Sequence, residues 1–142
     1  AAETGLLLVS TMHTVNVPQT LSRLTDAFPV EQQAQVRLQL SELIRGIICQ
    51  RLLPTIKPGM TPALEIMVST PQTRKLILEN RVGDLTKAMQ NGEFYGMNTF
   101  DQSLAALYKT NRVDMEQVLA AASSPDALMM AIRGVTSSLE AA

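Results

Sequence analysis

The residues of this chain that could do chemistry are concentrated near its start. Thr11, His13 and Thr14 place two hydroxyls beside the only histidine of the 142-residue sequence. An imidazole can contact a phosphate oxygen, and its protonation responds to a change in the charge of a nearby ligand. The pattern alone is more typical of an imidazole hydrogen-bonded at the end of a strand, with a structural role only. The alternative is a sensor of a bound anion whose ring is oriented by the hydroxyls.

The element that must position this cluster is a short apolar run, residues 6–9. An unbroken run of this length, with Gly5 before it, is typical of a strand buried on both faces of a parallel sheet. In such sheets, ligand-contacting side chains collect just beyond the carboxyl ends of the strands. The run therefore predicts an α/β fold with the hydroxyls and the imidazole at a strand end.

Composition bounds the class of protein. Hydrophobic residues make up 46% of the sequence, which is enough for a real core in one domain or in part of a larger one. The net charge is −1 and the basic residues are dispersed, which argues against nucleic-acid binding. The single cysteine, Cys49, excludes an internal disulfide framework and favours a reducing cytoplasmic compartment, and one Cys with one His cannot form a structural zinc site. The longest uncharged span, residues 4–22, is too polar for membrane insertion.

The absence of an initiator Met and the early strand lead us to expect a fragment that begins in mid-domain.

The pattern after the strand predicts two helices and a hairpin. Asn16 is a cap candidate for a helix over residues 18–28, and a long amphipathic helix is expected over residues 31–51, with Cys49 beside its apolar face. Alternating apolar residues around Pro58-Gly59 predict a β-hairpin that pairs residues 52–56 with residues 63–68.

The remainder of the chain is expected to be helical and repeatedly capped. The cap candidates are Thr70, Asp84, Thr99 with Gln102, Asp114 with Gln117, and Ser124. Helices are predicted over residues 72–80 and 85–91 after the first two caps. Thr99 is expected to start a helix with Leu104, Leu107 and Tyr108 inward, Asp114 a helix through Ala122, and Ser124 a helix to about Arg133. Residues 137–142 are expected to fray. The Met-rich pattern of this region favours core filling over a binding groove.

No complete active site is present in the sequence. A phosphate loop of the form G-x-x-x-x-G-K-[ST] does not occur, nor does a G-x-S-x-G elbow or an acidic cluster for two metals.

Several segments nevertheless resemble one family in the correct order. Residues 3–14, E-T-G-L-L-L-V-S-T-M-H-T, resemble the histidine box of type IV pilus and type II secretion ATPases, which reads roughly E-T-G-H-L-V-L-S-T-L-H-T. Residues 23–33 resemble R-I-x-D-x-F-P-x-E-Q-Q, residues 37–43, 50–54 and 65–68 match the long helix and the two hairpin strands, and residues 96–104 are similar to G-M-Q-T-x-D-Q-A-L of the PilT-like retraction branch. The resemblance covers about residues 1–123.

The resemblance implies the C-terminal part of a hexameric, ATP-hydrolysing motor for pilus retraction in twitching motility. The implied fold is a partial RecA-like (P-loop NTPase) core over residues 1–69, followed by an all-helical subdomain over residues 70–142. His13 would sense the γ-phosphate, with Thr11 and Thr14 beside it. ATP and Mg²⁺ would bind only in the full-length protein, whose Walker elements precede this segment, so the segment alone would be inactive. The implied partners are the other subunits of a homo-hexamer and a platform protein of the inner membrane, at its cytoplasmic face.

Two positions depart from the family pattern. Leu6 replaces the first histidine of the box. The retraction motif A-I-R-N-L-I-R-E falls on residues 72–79, where Arg74, Leu76, Ile77 and Glu79 match as candidates for motor output or partner contact, whereas Gln72, Thr73, Lys75 and Leu78 do not. From residue type alone, Arg74 and Glu79 are more typical of a solvated helix face, and only the resemblance implies a contact role for them. The open alternatives for the whole chain are a non-catalytic interaction module and a divergent secretion or pilus-assembly paralogue.

Overall fold

The computed structural model describes residues 4–133, and within that range the chain forms seven α-helices and one two-stranded sheet. The elements follow one another as α1 (Val17–Asp26), α2 (Val30–Leu43), β1 (Gly46–Pro54), β2 (Met60–Val68), α3 (Pro71–Leu78), α4 (Leu85–Gln90), α5 (Phe100–Lys109), α6 (Met115–Ala121) and α7 (Pro125–Arg133). Short 3₁₀ turns, Val82–Asp84 and Glu93–Tyr95, precede α4 and α5. The predicted fraying of residues 137–142 lies outside the described range.

Most of the predicted helix starts are confirmed, because the cap side chains bond as their spacing requires. Asn16 accepts from the Gln19 amide, and Asp114 accepts from the Gln117 amide. Thr70 and Thr99 each form a capping box with the third helical residue. A cap of this kind satisfies amides that have no partner inside the helix and is worth about 1 kcal/mol.

The prediction for Asp84 is wrong in its chemistry. A short helix does follow it, but the Asp84 side chain makes no capping bond. Its carboxylate instead accepts from Arg81, with the Arg81 Nη2 atom 2.7 Å from Asp84 Oδ2. The guanidinium competes successfully with the helix amides for this oxygen.

The predicted helix over residues 31–51 is also wrong in its second half. The helix ends at Leu43, Ile44 is already extended with a ψ of 128°, and β1 begins at Gly46. Gly46 disfavours a continued helix beyond this exit, and the β-branched pair that follows it favours a strand. Cys49 is buried in β1 rather than on a helix, and Arg51 also lies in this strand.

The predicted strand over residues 6–9 does not form a ladder in the described part of the chain. The one sheet there is the β1–β2 hairpin, so the run has no neighbouring strand to bond. A buried strand needs such a neighbour to satisfy its backbone groups. The apolar side chains are exposed instead, with Leu7 at 85% and Val9 at 83%.

Tertiary contacts divide the chain into two compact units, which interleave along the sequence. The first comprises residues 1–49 and 66–97, and the second comprises residues 50–65 and 98–142. The predicted boundary at residues 69 and 70 is a division of a different kind, between family domains, and it stays a prediction.

Each unit has its own core. In the first unit, α2 packs against α3 and α1 packs against α2 and α4, around side chains such as Leu21, Leu85 and Met89. In the second unit, α5 packs against α6 and α7, around Phe100, Leu104 and Leu128. The burial of Met89 confirms the core-filling interpretation at that position, whereas Met130 is 53% exposed.

In the second unit, side chains take the place of a third strand beside β2. The Leu64 amide donates to the Ser103 Oγ atom at 3.0 Å, and the Leu64 carbonyl accepts from the Asn98 Nδ2 atom at 3.0 Å. Arg51 lies over the Phe100 ring with its Cζ atom 4.0 Å from the centroid, and its Nη1 atom donates to the Ala121 carbonyl at the end of α6. These contacts fix the far end of the hairpin to the helices that follow.

Candidate functional site

The segment that carries the predicted sensor runs along α1 and is anchored to it by side chains. The Val15 amide donates to the Gln19 Oε1 atom at 2.9 Å, and the Gln19 amide donates to the Asn16 Oδ1 atom at 2.9 Å. The Arg23 Nη1 atom donates to the His13 carbonyl at 2.9 Å. The helix therefore holds the backbone on both sides of Thr14.

His13 is fixed through its backbone rather than through its ring. Its carbonyl is held by Arg23, while the residue itself and Thr11 are exposed. The structural alternative required an imidazole bonded at the end of a strand, and neither such a strand nor such a bond is present among residues 4–133. An exposed ring on an anchored backbone is free to contact a group that approaches from outside the segment.

Thr14 has a different environment from Thr11 and His13. Its Oγ1 atom lies 2.7 Å from the Thr20 Oγ1 atom, which itself donates to the Asn16 carbonyl at 2.9 Å. Because Thr20 uses its proton on Asn16, Thr14 must donate to Thr20. Thr14 therefore positions the segment and cannot donate the same proton to a ligand.

Thr20 lies at the centre of this arrangement, and the sequence interpretation missed it. It is buried in α1, and its hydroxyl is also 3.8 Å from the Cys49 Sγ atom in β1. Gln19 and Arg23 were missed as well. The available signal was the spacing of Asn16, Thr20 and Arg23, which are four and three positions apart and so share one face of a helix.

The second set of predicted site residues lies on α3 and divides by burial. Leu76 and Ile77 are buried, at 7% and 3% exposure, among the core residues of the first unit. Arg74 and Glu79 are exposed, and the Arg74 Nε atom donates to the Ser69 Oγ atom at 2.9 Å. Five positions of a helix turn the chain by about 140° beyond a full turn, so these two charges do not share a face. Leu76 and Ile77 can act on a partner only by positioning the exposed pair.

Glu79 belongs to a small charge cluster at the end of α3. It lies 3.9 Å from Lys75 and 3.4 Å from Arg81, and Arg81 also binds Asp84. The hydrogen bond to Asp84, the negative charge of Asp84 and a further hydrogen bond to Glu79 raise the pKa of Arg81 above its ordinary value. Since all these groups are solvent-exposed, the cluster orders the turn after α3 without contributing much stability.

The residues present could make one contact to a nucleotide, but they do not form a complete nucleotide-binding site. The exposed imidazole is suited to a terminal phosphate, whereas no phosphate loop occurs in the sequence. Residues 4–133 contain no group of three or more His, Cys, Asp or Glu side chains that could hold a metal ion. Over the same residues, no helix combines the length and hydrophobicity that crossing a bilayer requires.

Comparison with known proteins gives a consistent result. The chain is 39% identical to the type IV pilus retraction ATPase PilT of Pseudomonas aeruginosa over 126 residues, which cover 89% of this chain and 37% of PilT. It is 38% identical to a twitching motility protein of Neisseria gonorrhoeae over 82% of this chain and 31% of that protein. It is 35% identical to the type IV pilus ATPase PilU of P. aeruginosa over 93% of this chain and 35% of PilU. No family model matches the chain.

Solved structures agree with the sequence comparison. The crystal structure of the pilus retraction motor PilT with bound ADP superposes with a TM-score of 0.74 at 37% identity, over 83% of this chain and 33% of PilT. The ATPase DotB of Legionella pneumophila shares the fold, with a TM-score of 0.63 at 22% identity. The predicted fold class is confirmed: the chain is part of a RecA-like core followed by a helical C-terminal part.

These findings define the class as the type IV pilus ATPases. Within that class the chain belongs to the PilT-like family, and it corresponds to the C-terminal portion of its members. It spans about a third of the length of the curated relatives it matches.

Proposed function

We propose that this chain is the C-terminal portion of an ATP-hydrolysing motor that drives retraction of type IV pili. The observation that carries the proposal is the joint match to PilT in sequence and structure, at 37% identity and a TM-score of 0.74 over 83% of the chain. The motor would bind ATP with Mg²⁺ through residues of the longer protein. The segment alone would not hydrolyse ATP, since a single imidazole cannot replace a phosphate loop and a metal site.

His13 would contact the γ-phosphate of that nucleotide and lose the contact after hydrolysis. Its exposure and the anchoring of its backbone by Arg23 support this role, because a sensor must be presented rigidly to its ligand. Thr11 is exposed beside it and would supply a hydroxyl to the same phosphate group. Thr14 would act as a positioning residue, through its bond to Thr20.

The test is His13→Ala in the full-length protein, with ATP turnover and twitching as readouts. We expect turnover to fall at least about tenfold. This is less than the loss of about 100-fold or more that follows removal of a transition-state hydrogen-bond donor in other enzymes. Gln35→Ala is the control, because Gln35 is an exposed polar residue of α2 in the same unit. Turnover within twofold of the control would exclude His13 as the sensor.

The motor would act as a homo-hexamer at the cytoplasmic face of the inner membrane and transmit movement to a platform protein. The exposed charges Arg74 and Glu79 would contribute to this output, with Leu76 and Ile77 holding them in place from the core. The test is the double variant Arg74→Ala, Glu79→Ala in the full-length protein. We expect the variant to lose twitching while it retains ATP turnover. If the chain is instead an interaction module, the variant should lose partner binding, and the unsubstituted protein should show no ATP turnover.

A further inference from the structure

A depression of about 350 Å³ lies in the second unit, between the hairpin turn and the turn that joins α5 to α6. Its walls are Thr55, Lys57, Thr110, Asn111 and Arg112. The lining contains two cationic side chains, two hydroxyls, one carboxamide and no carboxylate. None of these residues belongs to residues 11–14, which carry the predicted sensor, or to α3.

The walls of this depression are fixed by backbone bonds and by two of the lining hydroxyls, since Thr55 donates to the Lys57 carbonyl and Thr110 donates to the Ala106 carbonyl. The Ile56 amide donates to the Arg112 carbonyl at 3.0 Å, which joins the two turns directly. Asn111 adopts the left-handed conformation with a φ of 53°, and the Arg112 amide closes the end of α5 by donating to the Leu107 carbonyl at 3.0 Å. The cationic side chains therefore project from a rigid base.

Within the described residues 4–133, neither Lys57 nor Arg112 takes part in an ion pair. A positive pair left without a carboxylate, in a chain whose net charge is −1, is a local feature and not the consequence of a basic protein. Two such groups around a concave surface attract an anion that can accept several hydrogen bonds.

We infer that this depression, which we call the turn pocket, binds a phosphoryl group. A phosphate monoester or diester offers acceptors to Lys57 and Arg112 together, and the Asn111 carboxamide can donate a further bond. The volume accommodates the group with part of its organic substituent. The source is a small phosphorylated molecule or a lipid headgroup; exposed Ile56 and Met60, both at 58%, flank Lys57 and could enter a lipid interface.

The experiment is a titration of the ¹⁵N-labelled chain with inorganic phosphate at constant ionic strength, followed by amide NMR. We expect saturable shifts confined to residues 55–59 and 110–112. The double variant Lys57→Gln, Arg112→Gln should weaken binding at least tenfold. The control Lys75→Gln, Arg133→Gln removes the same charge from exposed sites elsewhere and should leave the affinity unchanged, with circular dichroism confirming that both variants fold.

Vesicles of phosphatidylglycerol and of phosphatidylcholine distinguish the two sources. Cosedimentation with the anionic vesicles that is lost in the Lys57, Arg112 variant, and kept in the control, would assign the pocket to a lipid headgroup. Phosphate binding without cosedimentation would assign it to a small phosphorylated molecule. An absence of shifts at about 20 mM phosphate, or equal losses of affinity in both variants, would overturn the inference.

Discussion

Thr20 is one of the α1 residues that hold the segment carrying the predicted sensor, residues 11–14. Its hydroxyl accepts from Thr14 and donates to the Asn16 carbonyl, so it links the segment to the first turn of α1. Of the three predicted site residues, Thr11 and His13 are exposed, whereas Thr14 bonds Thr20 and positions the segment.

Replacing Thr20 with valine tests this role, because valine keeps the shape and removes the hydroxyl. We expect Thr20→Val to lower the free energy of unfolding by about 1–2 kcal/mol, since two hydrogen bonds of a buried group are lost. The measurement is urea unfolding, with Thr86→Val at an exposed position of α4 as the control. A cost no greater than that of Thr86→Val would show that the segment is held by other contacts.

Gly92 is a second position where one side chain matters, for a steric reason. A Cβ atom there would lie 2.2 Å from the Met97 Cε atom and 3.0 Å from the Ala88 carbonyl oxygen. We expect Gly92→Ala to destabilise the chain by about 1–3 kcal/mol, because the buried Met97 must move and the Ala88 backbone cannot. Gly83 provides a matched control, since a Cβ atom there meets nothing within 4 Å.

The comparison of thermal unfolding for Gly92→Ala and Gly83→Ala measures this effect. The second substitution should be neutral or slightly stabilising, because alanine restricts the unfolded chain. Equal melting temperatures for the two variants would contradict the steric argument.

At the scale of the elements, α7 is attached to α5 by a carboxylate. The Asp101 Oδ1 atom accepts from the Ser123 amide at 2.8 Å, and its Oδ2 atom accepts from the Ser124 amide at 3.2 Å. Ser124 precedes α7 and accepts from the Ala127 amide. Asp101 therefore fixes the start of α7 from outside the helix.

Removing this carboxylate should loosen α7 while leaving α5 intact. We expect Asp101→Ala to cost about 1.5–3 kcal/mol, the range for hydrogen bonds to charged groups. Hydrogen exchange should accelerate at the amides of Ser123 and Ser124 and through α7. Glu116→Ala removes an exposed carboxylate from the first turn of α6 and serves as the control; similar exchange in both variants would assign the docking of α7 to its apolar contacts alone.

The elements also show which parts of the fold the sequence could predict. Caps are local, so Asn16, Thr99 and Asp114 could be recognised from residue type and spacing alone. The helix expected over residues 31–51 failed because its apolar period continues through Ile47 and Ile48, which also suit a strand. The exit at Ile44 depends on the pairing of β1 with β2, and this contact is absent from any local window.

The same distinction explains the candidate site. The family motif over residues 96–104 could be recognised as a pattern, but its residues mostly build the fold. Asn98 and Ser103 bond the β2 edge, Thr99 caps α5, and Asp101 holds the start of α7. The anchoring of His13 by Arg23 spans ten positions and required the course of the chain.

For the whole molecule, the exposed run over residues 6–9 is the feature with the largest consequence in solution. Leu6, Leu7, Leu8 and Val9 are 64–85% exposed and contiguous, and an apolar segment of this kind favours association. We expect the 142-residue chain to form larger species as its concentration rises, as measured by sedimentation velocity.

The double variant Leu7→Glu, Val9→Glu should weaken this association at least tenfold. The control Val30→Glu, Met130→Glu adds the same charge at isolated exposed apolar positions, which are 78% and 53% exposed. Equal weakening by the control would show that net charge, and not the apolar run, governs association.

The interleaving of the two compact units restricts how the gene can recombine. The chain passes between the units after residues 49, 65 and 97. A crossover with a paralogue after residue 97 would pair a foreign Leu64 and Arg51 with the positions of Asn98, Phe100 and Ser103, which contact them in this chain. A working chimaera must therefore exchange residues 50–65 together with the helices that follow residue 97, because these two segments form one compact unit.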